Sequence, residues 1–424
     1  MIKRLVQQYQ NNLRIKQVVS LFAVNIFIIP LSFVSNIIIT RFLGPVAFGD
    51  FKFILYVFNF SIILFNFGFF QAGNRALVLN TDPVKTREYY GSMLVILACL
   101  FFIIAIVVFG YALVDKNVNE KGLRNMLIFI IPFAWIFLLT SYFEVLFQAD
   151  NKIGLLAKSR LYPKIIFFIS ILLLYLFFTN YKGNRLKIIW IFFLLTQIAG
   201  FLYIIYKINP SFKNLRARLK EIWFYNRTYG FNVYFGALFN VGFGNLAGLL
   251  ISYFGVDNSG VGFYSLALTI TEPLGFIPNV IATTHYKDFS SQTRIPKKLI
   301  LITASVTFSA LVLCWILVGP FIKYFYGPEF QPVIALTFIV SFGIIMNGFA
   351  DFFNRFLGSH GQGVALRNSA IIVGLFVLVF NISLIPHYGE TGAAYTQILS
   401  ALVYIIAMLW FYRRLVSKLS NNTI

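Results

Sequence analysis

Apolar residues dominate this chain in runs of about 20, the length a helix needs to cross the hydrocarbon core of a bilayer. IFIIPLSFVSNIII and FIIAIVVFGYALV lie at the centres of two such runs. Only a helix or a closed barrel satisfies its own backbone hydrogen bonds in hydrocarbon. Barrel strands alternate polar and apolar residues over about ten positions, and these runs do not. The sequence therefore predicts an all-α integral membrane protein. Composition agrees: 59% of the 424 residues are hydrophobic and only 12% are charged, about half the charge of a soluble domain.

Twelve spans are expected, at roughly 18–39, 51–72, 91–113, 126–148, 161–179, 187–206, 229–252, 263–284, 299–318, 332–354, 366–385 and 391–412. The start, MIKRLVQQYQNNLRIKQ, is basic and polar for too long to suit a cleavable signal peptide. The net charge of +21 does not point to nucleic acid, because the basic residues lie in short connectors between spans. With the N-terminus inside, 26 of the 35 Lys and Arg fall on inner segments. The outer connectors keep the rest, Arg41 and Lys52 among them. This bias predicts both termini on the cytoplasmic side of the inner membrane.

A weak internal repeat organises the spans. RFLGPVAFGDFKF after the first span parallels YFGVDNSGVGFYSL after the seventh, with Gly49 and Gly262 matched at an offset of 213. FEVLFQADNK and FNRFLGSHGQ match at an offset of 210. Six spans per half keep both halves in one orientation. The expected architecture is thus two six-helix bundles, residues 1–208 and 209–424, related by a pseudo-two-fold axis along the membrane normal. That plan suits alternating-access transport. The basic stretch 207–228 is read as the linker.

Polar groups at membrane depth are candidates for function because burying them is costly. Glu272 sits mid-span in TITEPLGFIPN, beside Pro273 and before Pro278. Asn279, seven residues on, shares its helix face. Glu272 is either a lumen carboxylate that binds a proton, a cation or sugar hydroxyls, or a structural carboxylate satisfied by a neighbouring helix. Asn347, Asp351, Asn354 and Arg355 form a stripe on the tenth span. It lines a cavity or seals an interhelical seam, and Asp351 and Arg355 are placed to pair. Glu144 and Gln148 lie near a membrane face, where snorkelling is easy. Arg75 and Arg41 are the candidate anion ligands, since a guanidinium fork holds two phosphate oxygens at once. Arg75 also reads as one more inside cation. Asn25, Asn36, Asn232, Asn240 and Asn245 suit sugar hydroxyls or serve as glue between helices, and Gly244 with Gly248 suits close helix packing. Cys99 and Cys314 read as small core hydrophobes. No metal, cofactor or enzyme motif is present. The outer connectors are about a dozen residues long, too short for an enzyme's catalytic loop.

Four connectors together resemble a known family. RFLGPVAFGDF, LFQADNK, YFYGPEFQPVI and LIPHYGETGAAYTQILS, in that order along the chain, are similar to the signatures of Wzx-type O-antigen and polysaccharide flippases. These belong to the multidrug/oligosaccharidyl-lipid/polysaccharide exporter superfamily. The resemblance implies movement of a polyprenyl-pyrophosphate-linked oligosaccharide from the inner to the outer leaflet, without ATP, through a cavity lined by spans 1, 2, 7 and 8. It implies surface-polysaccharide biosynthesis, with other glycan-assembly proteins as possible partners. It casts Arg41 and Arg75 as pyrophosphate ligands. Glu272 is then the site for coupling H+ or Na+. The chain departs from the family in carrying asparagine rather than lysine or arginine at mid-depth. The alternative within the superfamily is an antiporter for multidrug or small-molecule cations.

Overall fold

The computed structural model describes residues 13–178 and 183–421, with the side chains at 13–23, 25, 26, 240 and 421 outside the described set. Among the described residues every regular element is helical. In chain order these are α1 (Leu13–Phe65), α2 (Phe69–Val78), α3 (Pro83–Val114), the short α4 (Lys116–Glu120), α5 (Arg124–Ile130), α6 (Trp135–Ala149), α7 (Ile153–Phe177) and α8 (Arg185–Ile208). There follow α9 (Leu215–Tyr225), α10 (Phe231–Ala237), α11 (Phe243–Phe254), α12 (Ser259–Thr284), the short α13 (Tyr286–Phe289), α14 (Lys297–Phe321), α15 (Pro332–Ser359) and α16 (Gly363–Asn421). Eight of the described helices are long and apolar enough to cross a membrane, or nine if the bent pair α5–α6 is one span. Large apolar side chains such as Phe102, Ile106, Leu176, Phe308 and Ile316 are exposed on them. A chain with that surface is a multi-pass membrane protein.

The two longest helices each hold two legs and so carry more than one apolar run. In α1 the break is Gly44 (φ 78°, ψ 175°). Only glycine adopts that conformation without strain. The ring of Pro45 then keeps the preceding residue out of the α region and opens the second leg. In α16 the break is Gly389. Between α5 and α6 the chain bends by 46° through a 3-10 turn at Ile131–Phe133, where Pro132 lacks a backbone donor. Two π-helical turns, Asn226–Gly230 and Leu238–Gly242, flank α10. The seventh apolar run is therefore a stack of short segments.

The chain forms two compact units, one of Met1–Leu43 with Ser61–Phe235, the other of Gly44–Phe60 with Gly236–Ile424. The basic stretch 207–228 lies inside the first unit. Most of the second leg of α1 lies in the second unit. The first unit packs around Tyr90, Tyr142, Phe147 and Trp190, all fully buried. In the second, Phe289, Phe352, Phe356 and Met408 form a buried cluster. Cys99 is exposed and Cys314 half-buried, so Cys99 is not a core residue.

Candidate functional site

In the second unit the leg of α1 after Gly44 crosses the start of α12 at unusually short range. A Cβ on Gly49 would lie 1.7 Å from the carbonyl oxygen of Asn258, and one on Gly262 would lie 3.1 Å from the amide nitrogen of Gly49. The two glycines matched by the repeat thus meet each other. The crossing is pinned by polar groups. Asn258 donates to Asp50 at 2.7 Å and accepts from Ser252 at 2.6 Å.

From this crossing two stripes run along facing helices. Gly49, Lys52 and Tyr56 lie at i, i+3 and i+7 on α1. Gly262, Ser265 and Glu272 lie at i, i+3 and i+10 on α12. Both spacings keep side chains on one helix face. Tyr56 shares a hydrogen bond with Ser265, and its ring packs where a Cβ on Gly248 would sit. Lys52 and Glu272 attract each other electrostatically, and Glu272 also acts on Tyr56. Lys52 is half-buried, with its ammonium 5.2 Å from the Phe48 ring centre, while Glu272 is exposed. Opposite charges in one cluster ease each other's residence at low dielectric. Pro273 and Pro278 lack the N–H that would bond the carbonyls of Thr269 and Leu274, which adds acceptors to the same helix. The arrangement offers a carboxylate, an ammonium and two hydroxyls to a hydrated ligand.

A second polar region lies wholly within the second unit. A cavity of about 310 Å³ is lined by Asn347, Asp351, Asn354, Asn381, Gln397 and Tyr404, among others. Tyr404 donates to Asp351 at 2.8 Å and accepts from Asn354 at 2.9 Å. The Asn381 amide donates to Phe243 O at 3.2 Å, while its buried Oδ1 finds no hydrogen-bond partner among the described residues. The stripe on α15 therefore opens on a cavity. Asp351 and Arg355 make no direct ion pair among the described residues; Arg355 attracts Asp351 only at longer range. Arg355 is exposed and reaches Asn279 Oδ1 at 3.5 Å. Asn279 is half-buried and also accepts from Thr283.

The first unit holds the other cationic candidate. Gly68 and Gly230 bring α2 and the π-turn Asn226–Gly230 together, a Cβ on either lying 2.4 Å from the other's backbone. Arg75, exposed on α2, stacks over Tyr229 at 5.8 Å from the ring centre. Arg227 stacks over Trp223 at 5.6 Å, and Phe69 packs on the same indole. Two guanidinium groups thus stand on aromatic rings of neighbouring segments. A separate cavity of about 310 Å³ in this unit contains Glu144, Arg160, Lys164 and Gln197. Glu144 pairs there with Arg160.

The remaining expected residues are dispersed. Asn36 is half-buried and Arg41 is exposed, both on the first leg of α1. Asn245 donates its amide to Val241 O at 2.9 Å, in the π-turn just before its helix. The side chains of Asn240 and Asn25 lie outside the described residues. Sequence reasoning missed three members. Lys52, counted with the outer connectors, is on the helix, where its spacing from Gly49 was the available signal. Asn381 is a lone amide in an apolar run, a pattern that flags it. Arg227 carried no signal of its own, because its position depends on a π-turn.

Over nearly its full length the chain is similar to known proteins of related architecture. It is 23% identical to the capsular polysaccharide biosynthesis protein CapF of Staphylococcus aureus over 416 residues, covering 93% of this chain and 98% of the relative. Its fold matches the lipid II flippase MurJ, in an inward closed conformation, with a TM-score of 0.72 at 14% identity, over 95% of this chain and 90% of that one. It also matches an inward-facing multidrug resistance MATE family transporter of the MOP superfamily with a TM-score of 0.65 at 14% identity, over 93% of this chain and 96% of that one. The chain has that transporter fold. Residues 15–286, well over half of the chain, match the polysaccharide biosynthesis protein family, and the chain belongs to that family.

Proposed function

We propose that the protein is a flippase. It turns a polyprenyl-pyrophosphate-linked oligosaccharide from the inner to the outer leaflet of the cytoplasmic membrane by alternating access, as a step in surface-polysaccharide biosynthesis. The observation that carries this reading is Glu272, a carboxylate in an apolar membrane helix that is exposed and coupled to Lys52. Carrying a charged, hydroxyl-rich head through hydrocarbon is prohibitive. Side chains at membrane depth supply the partners water would give, while the lipid tail stays in the bilayer. Family membership and the relative named for capsular polysaccharide biosynthesis support a glycan cargo.

In this reading Arg75 and Arg41 hold the pyrophosphate. Asn36, Asn240, Asn245, Asn279, Asp351 and Arg355 meet sugar hydroxyls. Glu272 couples the step to H+ or Na+. Both termini are cytoplasmic, and other glycan-assembly proteins act before and after it.

The test is genetic. Deleting the gene abolishes a surface glycan and makes its lipid-linked repeat unit accumulate inside the cell. The fold likeness to multidrug transporters favours a second reading, export of a small-molecule cation in exchange for an ion. Normal glycan with altered drug tolerance after deletion would establish that reading instead.

A further inference from the structure

We infer that helix α9 is a docking surface for anionic phospholipid headgroups, read by one face whose orientation the rest of the first unit fixes.

The fixed side is clear. Arg218 on α9 is buried, 8% exposed, and held by two carboxylates, Glu221 at 2.8 Å and Glu88 at 3.3 Å. Asn214 donates to Glu88 at 2.8 Å, and Tyr89 donates to Glu221. The approach is held as well, with Arg87 donating to Asn209 O at 2.9 Å and Ser211 N donating to Arg87 O at 2.8 Å. Ile222, four residues after Arg218, is fully buried. Arg218 and Ile222 therefore set the roll of α9 against the start of α3.

The free side follows from that roll. Arg216, Lys220, Trp223 and Arg227 follow one another at i, i+4, i+7 and i+11, and all four are exposed. At about 100° per residue they form a single line, some 16 Å long. The π-turn does not scatter it, since Arg227 remains stacked on Trp223. Phe224 flanks the line and is 61% exposed. The one acidic residue of α9, Glu221, is engaged by Arg218 and Tyr89.

Cations alternating with exposed aromatic rings suit a membrane surface better than an acidic protein. The ammonium and guanidinium groups meet phosphodiester oxygens while the rings sit at the headgroup–acyl boundary. The occupant the face fits is therefore the anionic lipid of the bilayer in which the chain already sits. A headgroup bound here would share its helix with the clamp on Glu88, so lipid charge and the packing of α3 are coupled through one element.

The experiment uses the full chain, purified in mild detergent, and native mass spectrometry with phosphatidylglycerol or phosphatidylcholine added. Wild type is expected to retain phosphatidylglycerol preferentially. R216Q/K220Q is expected to lose that preference roughly twenty-five-fold, since each basic residue near an anionic surface contributes about fivefold. R294Q/K298Q, which removes an equal charge from another exposed basic stretch, is expected to keep it. R216K/K220R keeps the charge and should behave as wild type, which separates loss of binding from loss of folding. An unchanged preference in R216Q/K220Q overturns the inference. So does an equal loss in R294Q/K298Q, which would mean that only total charge matters. Glycan export is not measured here, so the outcome is independent of the transport reading.

Discussion

Replacing Gly49 by alanine tests the crossing on which the candidate site is built. The added Cβ would lie 1.7 Å from Asn258 O, 2.4 Å from its carbonyl carbon and 3.1 Å from Ser259 N. All three are backbone atoms, so no rotamer change relieves the clash. A carbon and an oxygen need more than 3 Å, so the second leg of α1 must retreat by about 1.5 Å from Asn258. Overpacking of this kind costs about 1–3 kcal/mol. The retreat also stretches the Asn258–Asp50 bond of 2.7 Å, worth about 1.5–3 kcal/mol to a charged acceptor. The expected destabilisation is about 2.5–6 kcal/mol. The control is Gly110→Ala in α3, where a Cβ meets nothing within 4 Å and alanine should be neutral or mildly stabilising. Thermal unfolding of both purified variants in one detergent, followed by loss of the monodisperse chromatographic peak, reads the difference. If G49A unfolds with G110A and wild type, the helices do not cross as described, and the placement of Lys52 near Glu272 falls with the crossing.

Three further outcomes are expected. Lys52→Gln leaves Glu272 without its cation and should destabilise the second unit by about 1 kcal/mol, while adding Glu272→Gln recovers part of the loss because neither charge is left unpaired; additive losses in the double variant, read by thermal unfolding, would refute the pairing. Arg218→Gln leaves Glu88 buried without its cation and should destabilise the first unit by about 3 kcal/mol, with Glu88→Gln as partial rescue; limited proteolysis near residues 209–214 reports it. Tyr404→Phe removes the hydroxyl shared by Asp351 and Asn354 and should cost about 1–3 kcal/mol while leaving the Lys52–Glu272 cluster intact, as measured by thermal unfolding of the single and combined variants.

The helical membrane fold was legible because apolar runs of span length admit no other solution. The Gly44 break was legible in the Leu-Gly-Pro turn, and Glu272 stood out as a charge in a span. Other features needed three dimensions. Lys52 reads as a connector cation because a helix end and a helix interior look alike when the neighbours are apolar. α9 reads as a charged linker because Arg216, Arg218, Lys220 and Glu221 interrupt its apolar residues; only the burial of Arg218 reveals which face is inward. The pairing expected between Asp351 and Arg355 fails because Tyr404, from α16, reaches the carboxylate first. The π-turns around α10 follow from packing and leave no local pattern.

The membership of Gly44–Phe60 in the second unit bears on biosynthesis. The ribosome delivers this segment early, yet Asn258, Ser265 and Glu272 emerge half a chain later. Until they do, Lys52 enters the bilayer without Glu272, and a charged residue costs about 2.5–3.5 kcal/mol there at mid-span and less near the surface. The nascent helix therefore waits in a provisional state, and the late arrival of Glu272 is what commits it.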